Sequence, residues 1–362
     1  MHPNPSNGMV ASGLLRAWRR LIGLAGVALL AACAGTPPDK GPGATATTAV
    51  SQGSPQVGPL PPLKIGIALG GGAAKGFAHI GAIKMLEANG LVPSVVAGTS
   101  AGSVVGALYA SGMNAFELQE KAVALDEARI RDLQLSSGGL LVGQKLEDYV
   151  NEQVRRLPLE RLPKPFVAVA TRLEDGERIV FARGNTGQAV RASSSVPGVF
   201  QPVTIGRYHF VDGGVVSPVP VDAARQLGAD FVIAVDISSK ARGQTPTGLI
   251  GTVGQSITIM GQKLGEAELA RADVIVRPNV LDIGGADFTQ RANAILEGEK
   301  AALAAMAQIR DRIAQVQATR EQAARLARQK EADARRQACL EQRSRLQKLA
   351  GWVGLEGECA AP

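Results

Sequence analysis

The sequence predicts an α/β fold, with a largely parallel central sheet covered by helices and a long helical extension at the C-terminus. Three observations carry that expectation. Short apolar runs ended by glycine recur through the middle of the chain, beginning with residues 64–69 and 94–97, and such runs read as strands buried on both faces. Stretches with helical spacing alternate with them, the pattern of strand–helix–strand units. After about Phe288 the chain is rich in Ala, Gln and Arg, with almost no helix breaker before Gly351.

Taken in order, the strand at 64–69 leads to a helix over 73–89, where Phe77, Ile80, Ile83 and Leu86 recur at helical spacing and Gly90 closes the pattern. The strand at 94–97 leads to a helix over 101–109. Further strands are expected at 166–170, 178–182, 208–211, 231–237 and 273–276, and further helices at 144–156, 220–227 and 250–269. In the extension, Leu303, Met306, Ile309, Ile313 and Val316 form an apolar seam that fades into alanines and charges beyond Gln317. The first part therefore packs on the domain, and the second is a solvated basic helix.

The formal net charge of +7 is concentrated at the two ends of the chain. Three arginines and no acid lie in the first 32 residues, and residues 317–348 hold nine Lys/Arg against four Asp/Glu. What lies between is close to neutral, so the basicity belongs to the extension and does not describe a nucleic-acid surface. Aromatic residues make up only 4%, too few for a base-stacking platform.

The N-terminal segment reads as a targeting signal. Arg16, Arg19 and Arg20 precede the apolar run Leu21 to Leu30, which at ten residues is short of the roughly 20 needed to span a bilayer. Leu30, Ala31, Ala32 and Cys33 follow the pattern of a bacterial lipobox, with Cys33 as the lipidated residue and an outer-membrane anchor facing the periplasm as the expected location. Residues 34–62 are rich in Pro, Gly, Ala, Ser and Thr and read as a flexible tether. The expected organisation is a signal peptide at 1–32, an anchored linker at 33–62, a catalytic domain at 63–306 and a basic helical tail at 307–362. Cys339 and Cys359 stand in a compartment that permits a disulfide, with nothing in the sequence to show that they meet.

Chemistry is concentrated in three places. Gly98, Thr99, Ser100, Ala101 and Gly102 fit the nucleophile elbow, in which a serine sits on a tight strand-to-helix turn and flanking glycines relieve crowding. Gly70, Gly71, Gly72 and Ala73, followed by Lys75 and Gly76, lie between the first strand and its helix, where backbone N–H groups can face developing negative charge. The spacing fits neither nucleotide motif: Gly76 follows Lys75 where a phosphate loop needs Ser or Thr, and no six-residue window places glycines as a dinucleotide fingerprint requires. Asp212, Gly213 and Gly214 form the third element, by itself an ordinary turn. The chain has only three histidines, His2, His79 and His209, and none follows Asp212. The order Ser, acid, His of an α/β-hydrolase is therefore absent. No motif calls for a metal or cofactor.

These three elements in this order, Gly70–Gly76 with Phe77, Ala78, His79, Ile80 and Gly81, then Val95–Gly102, then Asp212–Gly214, resemble the patatin-like phospholipase family, in particular bacterial members related to neuropathy target esterase. The resemblance covers residues 63–306. It implies a patatin-like three-layer α/β/α fold and a Ser–Asp dyad, with Ser100 as nucleophile and Asp212 as proton acceptor. It also implies an oxyanion hole from the loop Gly70, Gly71, Gly72 and Ala73, and a membrane lipid or phospholipid as substrate. Residues 191–200 resemble a further block of the family, with Ser195 where Ala is frequent; Lys75 stands where Arg is frequent. The expected activity is a serine lipid acyl hydrolase of phospholipase A or lysophospholipase type. The alternatives are an acyltransferase using the same acyl-enzyme, or a catalytically idle lipoprotein that binds lipid or a partner.

Overall fold

The computed structural model describes residues 60–130, 132–136, 139–241 and 247–350. The signal peptide, Cys33, most of the linker and Cys359 lie outside the described residues. Ten strands occur among those described: β1 (Ile65–Leu69), β2 (Val95–Thr99), β3 (Leu133–Ser136), β4 (Gly139–Leu141), β5 (Phe166–Arg172), β6 (Arg178–Phe181), β7 (Val203–Ile205), β8 (Tyr208–Asp212), β9 (Phe231–Val235) and β10 (Val274–Val276). The helices are α1 (Phe77–Ala88), α2 (Ala101–Ala110), α3 (Ala115–Val123), α4 (Gln144–Gln153), α5 (Thr186–Ser193), α6 (Val221–Gln226), α7 (Gly248–Leu269) and α8 (Arg291–Ala350).

The main sheet runs β10-β9-β1-β2-β5-β8-β7, with β6 also paired to β5, while β3 and β4 form a separate hairpin. The strands from β10 to β5 pair in parallel, as the apolar, unalternating sequences of β1, β2 and β9 require. The remaining pairings, of β6 and β8 with β5 and of β7 with β8, are antiparallel. Successive side chains of β1 enter opposite cores. Ile67 and Leu69 pack with α1, α2 and α8, whereas Ala68 joins Val221, Ala223 and Ala224 of α6 and Leu269 of α7. The result is the expected three-layer α/β/α arrangement.

The register of β5 sets the geometry of everything that follows. Ala168 and Val169 pair with both β2 and β6, so those strands occupy opposite edges of β5. Ala170 and Thr171 pair with both β6 and β8, so β8 lies on the same edge as β2. Along that edge β2 ends at Thr99 opposite Val169, and β8, running the other way, ends at Asp212 opposite Ala170. The two strands meet head-on, and the residues that follow them are forced together.

The expected boundary at 306/307 falls inside α8, which runs unbroken for 60 residues, about 90 Å. Met306 and Ile309 are buried, and Ile313 and Val316 still pack against the core. From Glu321 onward nearly every residue is exposed, as the fading of the apolar seam anticipates. Near the end of this helix Cys339 is disulfide-bonded.

Helices α1 and α8 cross with their backbones almost touching. A Cβ on Gly81 would stand 1.9 Å from the Ile295 carbonyl oxygen, and one on Gly298 would stand 2.0 Å from that of Ala78. Alanine is preferred to glycine inside a helix by about 1 kcal/mol, but here the backbone contact overrides that preference. Gly298→Ala is expected to destabilise the fold by about 1–3 kcal/mol, as overpacking does, measured by urea unfolding. The control Gln337→Ala, in the exposed half of α8, should leave the midpoint unchanged.

Candidate active site

Ser100 occupies the turn between β2 and α2 with φ 53° and ψ −125°, a left-handed conformation rare outside glycine. The neighbouring glycines make this turn sterically possible. A Cβ on Gly98 would fall 2.5 Å from the Gly102 carbonyl oxygen, and one on Gly102 would fall 2.1 Å from that of Leu69. Hydrogen bonds hold the strained turn on each side. The Ser193 hydroxyl accepts the Ser100 N–H at 2.9 Å and donates to the Val169 carbonyl at 2.5 Å. The Ser103 hydroxyl donates to the Ser100 carbonyl at 2.7 Å. Ser100 is also the N-cap of α2, so the positive end of that helix faces its surroundings.

Asp212 arrives from β8. Its N–H donates to the Ser195 carbonyl at 2.9 Å, and its own carbonyl accepts from the Thr171 hydroxyl at 2.9 Å. One carboxylate oxygen, Oδ1, accepts the Gly214 N–H at 2.7 Å. The other, Oδ2, is buried without a formed hydrogen bond among the described residues. The Ser100 hydroxyl is the side chain near enough to favour the charged carboxylate, although the contact is looser than a closed hydrogen bond. Loose pairing of this kind is common in ligand-free sites. Burial dominates: it raises the Asp212 carboxyl from 3.8 to about 6, against the opposing effects of Ser100 and the Gly214 N–H. The glycines after Asp212 are again dictated by space, since a Cβ on Gly213 would meet the Val169 carbonyl oxygen at 2.1 Å.

The glycine loop lies against Ser100, where a Cβ on Gly71 would stand 3.2 Å from the Ser100 Cβ. The expectation that Gly70 and Gly71 offer N–H groups to an oxyanion is corrected here. Gly70 donates to Val235 at 3.1 Å and Gly71 to Pro218 at 2.9 Å, so both are committed to the scaffold. Among the described residues the N–H groups of Gly72 and Ala73 have no such commitment, and Ala73, at φ 52°, lines the cavity beside Ser100. Gly76 serves contact, because a Cβ there would lie 2.7 Å from that of Ala101. Lys75 is buried and donates to the Ser239 hydroxyl at 2.7 Å.

Neither described histidine reaches Ser100. His79 is fully buried, and its Nε2 lies 2.8 Å from the Gly70 carbonyl oxygen, which can only accept, so Nε2 carries the proton. Burial lowers its pKa from 6.5 to about 4, which keeps the ring neutral. His79 thus ties α1 to the glycine loop. His209 is exposed on β8, on the face away from Asp212, with Nδ1 2.8 Å from Glu174.

Sequence reasoning missed two supports. Ser193 lies within the 191–200 block and escaped notice because its partners, Ser100 and Val169, are remote in the chain. Glu268 on α7 is the second. Its buried carboxyl accepts the Ser217 hydroxyl at 2.5 Å and the Val219 N–H at 2.9 Å. The segment it grips also carries the Ser217 carbonyl that accepts from Thr99 and the Pro218 carbonyl that accepts from Gly71. Glu268 therefore braces the elbow and the glycine loop together. Burial raises its pKa to about 7, against the two hydrogen bonds and the Arg178 guanidinium.

Ser100 opens on a cavity of about 460 Å³ lined by apolar side chains such as Ile80, Leu108, Leu118, Ile130 and Leu146. That volume lies within the roughly 300–1,000 Å³ of small-molecule sites. A strained serine beside a buried carboxylate, facing an apolar cavity next to uncommitted backbone N–H groups, has the parts needed for acyl transfer.

The sequence model of the patatin-like phospholipase family matches residues 67–225, from β1 through the Asp212 loop into α6. The chain carries a patatin-like phospholipase domain. An uncharacterized NTE family protein of Mycobacterium tuberculosis is 36% identical over 182 residues, covering 50% of this chain and 51% of that protein. Patatin-like phospholipase domain-containing protein 6 of Mus musculus is 31% identical over 184 residues, covering 49% of this chain and 14% of that protein. This chain thus spans about half the length of the mycobacterial relative it matches. Among solved structures, VipD from Legionella pneumophila aligns with a TM-score of 0.46 at 14% identity, covering 68% of this chain and 67% of that one.

The buried carboxyl in this patatin-like domain has a stability consequence. Asp212 holds its proton more tightly folded than unfolded, so its contribution to stability is present below about pH 4 and is lost as the pH rises through about 6. Asp212→Asn cannot make that loss. The variant is expected to be more stable than the wild type at pH 8, by up to about 3 kcal/mol, and similar to it near pH 4. Thermal unfolding at the two pH values measures the difference.

Proposed function

We propose that the chain is a serine lipid acyl hydrolase in which Ser100 is the nucleophile and Asp212 takes its proton directly. One observation carries this reading: β2 and β8 meet head-on, which brings Ser100, just after β2 and lining an apolar cavity, beside Asp212 at the end of β8. The two described histidines bond elsewhere, to Gly70 and Glu174.

The Ser100 Oγ attacks the ester carbonyl carbon while its proton moves to Asp212 Oδ2, the buried oxygen without another partner. The carbonyl oxygen becomes an oxyanion facing the N–H groups of Gly72 and Ala73 and the positive end of α2. The bond to the alkoxy oxygen then breaks, and that oxygen leaves with the proton from Asp212. The fatty acyl group remains on Ser100 as an ester, with its chain in the cavity. Water, deprotonated by Asp212, then attacks the acyl carbon; the bond to Ser100 Oγ breaks, the fatty acid leaves, and Asp212 returns the proton to Ser100. A base with a pKa near 6 suits both directions of proton transfer at neutral pH, which explains why burial of this carboxylate serves the chemistry.

The cavity accounts for a lipid acyl chain as substrate. Each methylene it buries contributes about 0.8 kcal/mol, so kcat/KM should climb roughly fourfold per methylene until the space is filled. The substrate class extends to membrane phospholipids if Cys33 carries lipid and holds residues 63–306 near a bilayer, the arrangement that the lipobox pattern supports.

Ser100→Ala and Asp212→Asn are each expected to lower ester hydrolysis by roughly 10³-fold or more, with little further loss when combined, because nucleophile and base act as a unit. His209→Ala should stay within about threefold of wild type, far less than removal of a general base costs. Kinetics on a short-chain soluble ester, with circular dichroism to confirm folding, measure both. Near-full activity in Asp212→Asn, or collapse in folded His209→Ala, would overturn the dyad.

A further inference from the structure

We propose that Ser194 is a substrate-contacting residue whose hydroxyl donates a hydrogen bond to the leaving alkoxy oxygen of the ester. This rests on Ser100 as the nucleophile and adds a group to the same site.

Ser194 is 7% exposed, and its Oγ makes no hydrogen bond among the described residues. A buried hydroxyl without a partner is costly, by about 1–3 kcal/mol, and uncommon enough to need a reason. Its neighbours show that the chain has partners to offer at this point. The Ser193 hydroxyl is bound to Ser100 and Val169, and the Ser195 hydroxyl donates to the Arg191 carbonyl at 2.8 Å. Ser194 is instead one of the residues that line the cavity holding Ser100, with its hydroxyl buried at that wall.

The same three residues are wired to both members of the dyad. Ser193 accepts the Ser100 N–H, and the Ser195 carbonyl accepts the Asp212 N–H. Ser194 lies between these two attachments, so its position is fixed relative to nucleophile and base alike. Among the described residues, three other polar side chains line the cavity: Ser100, Lys121 and Tyr149. An acyl chain has nothing to offer a hydroxyl, but an ester brings two acceptors. Its carbonyl oxygen faces Gly72 and Ala73, which leaves the alkoxy oxygen for Ser194.

As the bond from the carbonyl carbon to that oxygen breaks, negative charge develops on the oxygen and its new proton comes from Asp212. Ser194 keeps its own proton and donates a hydrogen bond while the charge is present. The contribution should be large when the leaving alkoxide is strongly basic and small when it is already stable.

The test compares Ser194→Ala with wild type on two esters of the same acyl chain, one with a simple alkyl leaving group and one with p-nitrophenol. Full-length protein is used, and complete modification of Ser100 by a fluorophosphonate is required of both forms. The expected result is a loss of kcat/KM at least tenfold greater on the alkyl ester than on the p-nitrophenyl ester. Equal losses on the two esters would mean that Ser194 only supports the turn, and no loss on either would mean that it touches nothing in the reaction; each overturns the proposal. Wild-type protein that is not modified at Ser100 would instead overturn the underlying hydrolase reading.

Discussion

Two strands of opposite direction share one edge of β5 and run out against each other, and the rest of the site depends on that collision. A strand that ends where another ends must turn its chain out of the sheet at once. β2 does so through Ser100 at positive φ, and β8 does so through the tight turn at Gly213 and Gly214. The glycines at positions 98, 102 and 213 follow from the same crowding, since each would drive a Cβ to within 2.5 Å of a backbone atom. Ser100 and the Asp212 carboxylate therefore lie together because of strand register, which is the arrangement the proposed direct proton transfer requires.

The same crowding sets the electrostatics. Residues packed this tightly exclude water, and the Asp212 carboxylate keeps only one firm hydrogen bond, from Gly214. Desolvation then outweighs the groups that favour its charge and brings the carboxyl to about 6. An exposed aspartate near 4 would be a much weaker base. The fold holds this unfavourable arrangement in place with neutral hydrogen bonds from Ser193, Thr171 and Ser103, and with the Glu268 clasp on residues 217–219. None of these supports touches the cavity, so they can be tight without obstructing substrate.

Much of this was legible in the sequence, for physical reasons. Buried parallel strands are apolar on both faces, so β1, β2, β5 and β9 stood out as runs, and Ser100 and Asp212 were marked by the glycines that their turns demand. Less regular elements were passed over. Helix α3 has a full capping box from Asn114 and Glu117 that a search for caps would have found, but its weak apolar content hid it. The β3–β4 hairpin, α5 and β7 are short and carry little periodicity. The roles of the four loop residues were not legible at all. Whether a backbone N–H is free depends on where Val235 and Pro218 lie, and local sequence holds no record of that. Glu268 likewise reads as an ordinary charge near the end of a helix until the fold brings Ser217 and Val219 to it. The C-terminal helix was foreseen in length, in charge and in the packing of its first part through Met306 and Ile309, but the glycine crossing with α1 was not.

The central claim is that a buried aspartate, acting without an intermediary, activates Ser100. It is tested most directly by the pH dependence of the rate at which a fluorophosphonate modifies Ser100, followed by intact mass and peptide mapping. The expected profile is a single adduct on Ser100 whose rate rises through about pH 6 and levels off above it, and which disappears in Asp212→Asn. An adduct on another residue, or a rising limb that survives Asp212→Asn and vanishes when His79 or His209 is replaced in folded protein, would contradict it.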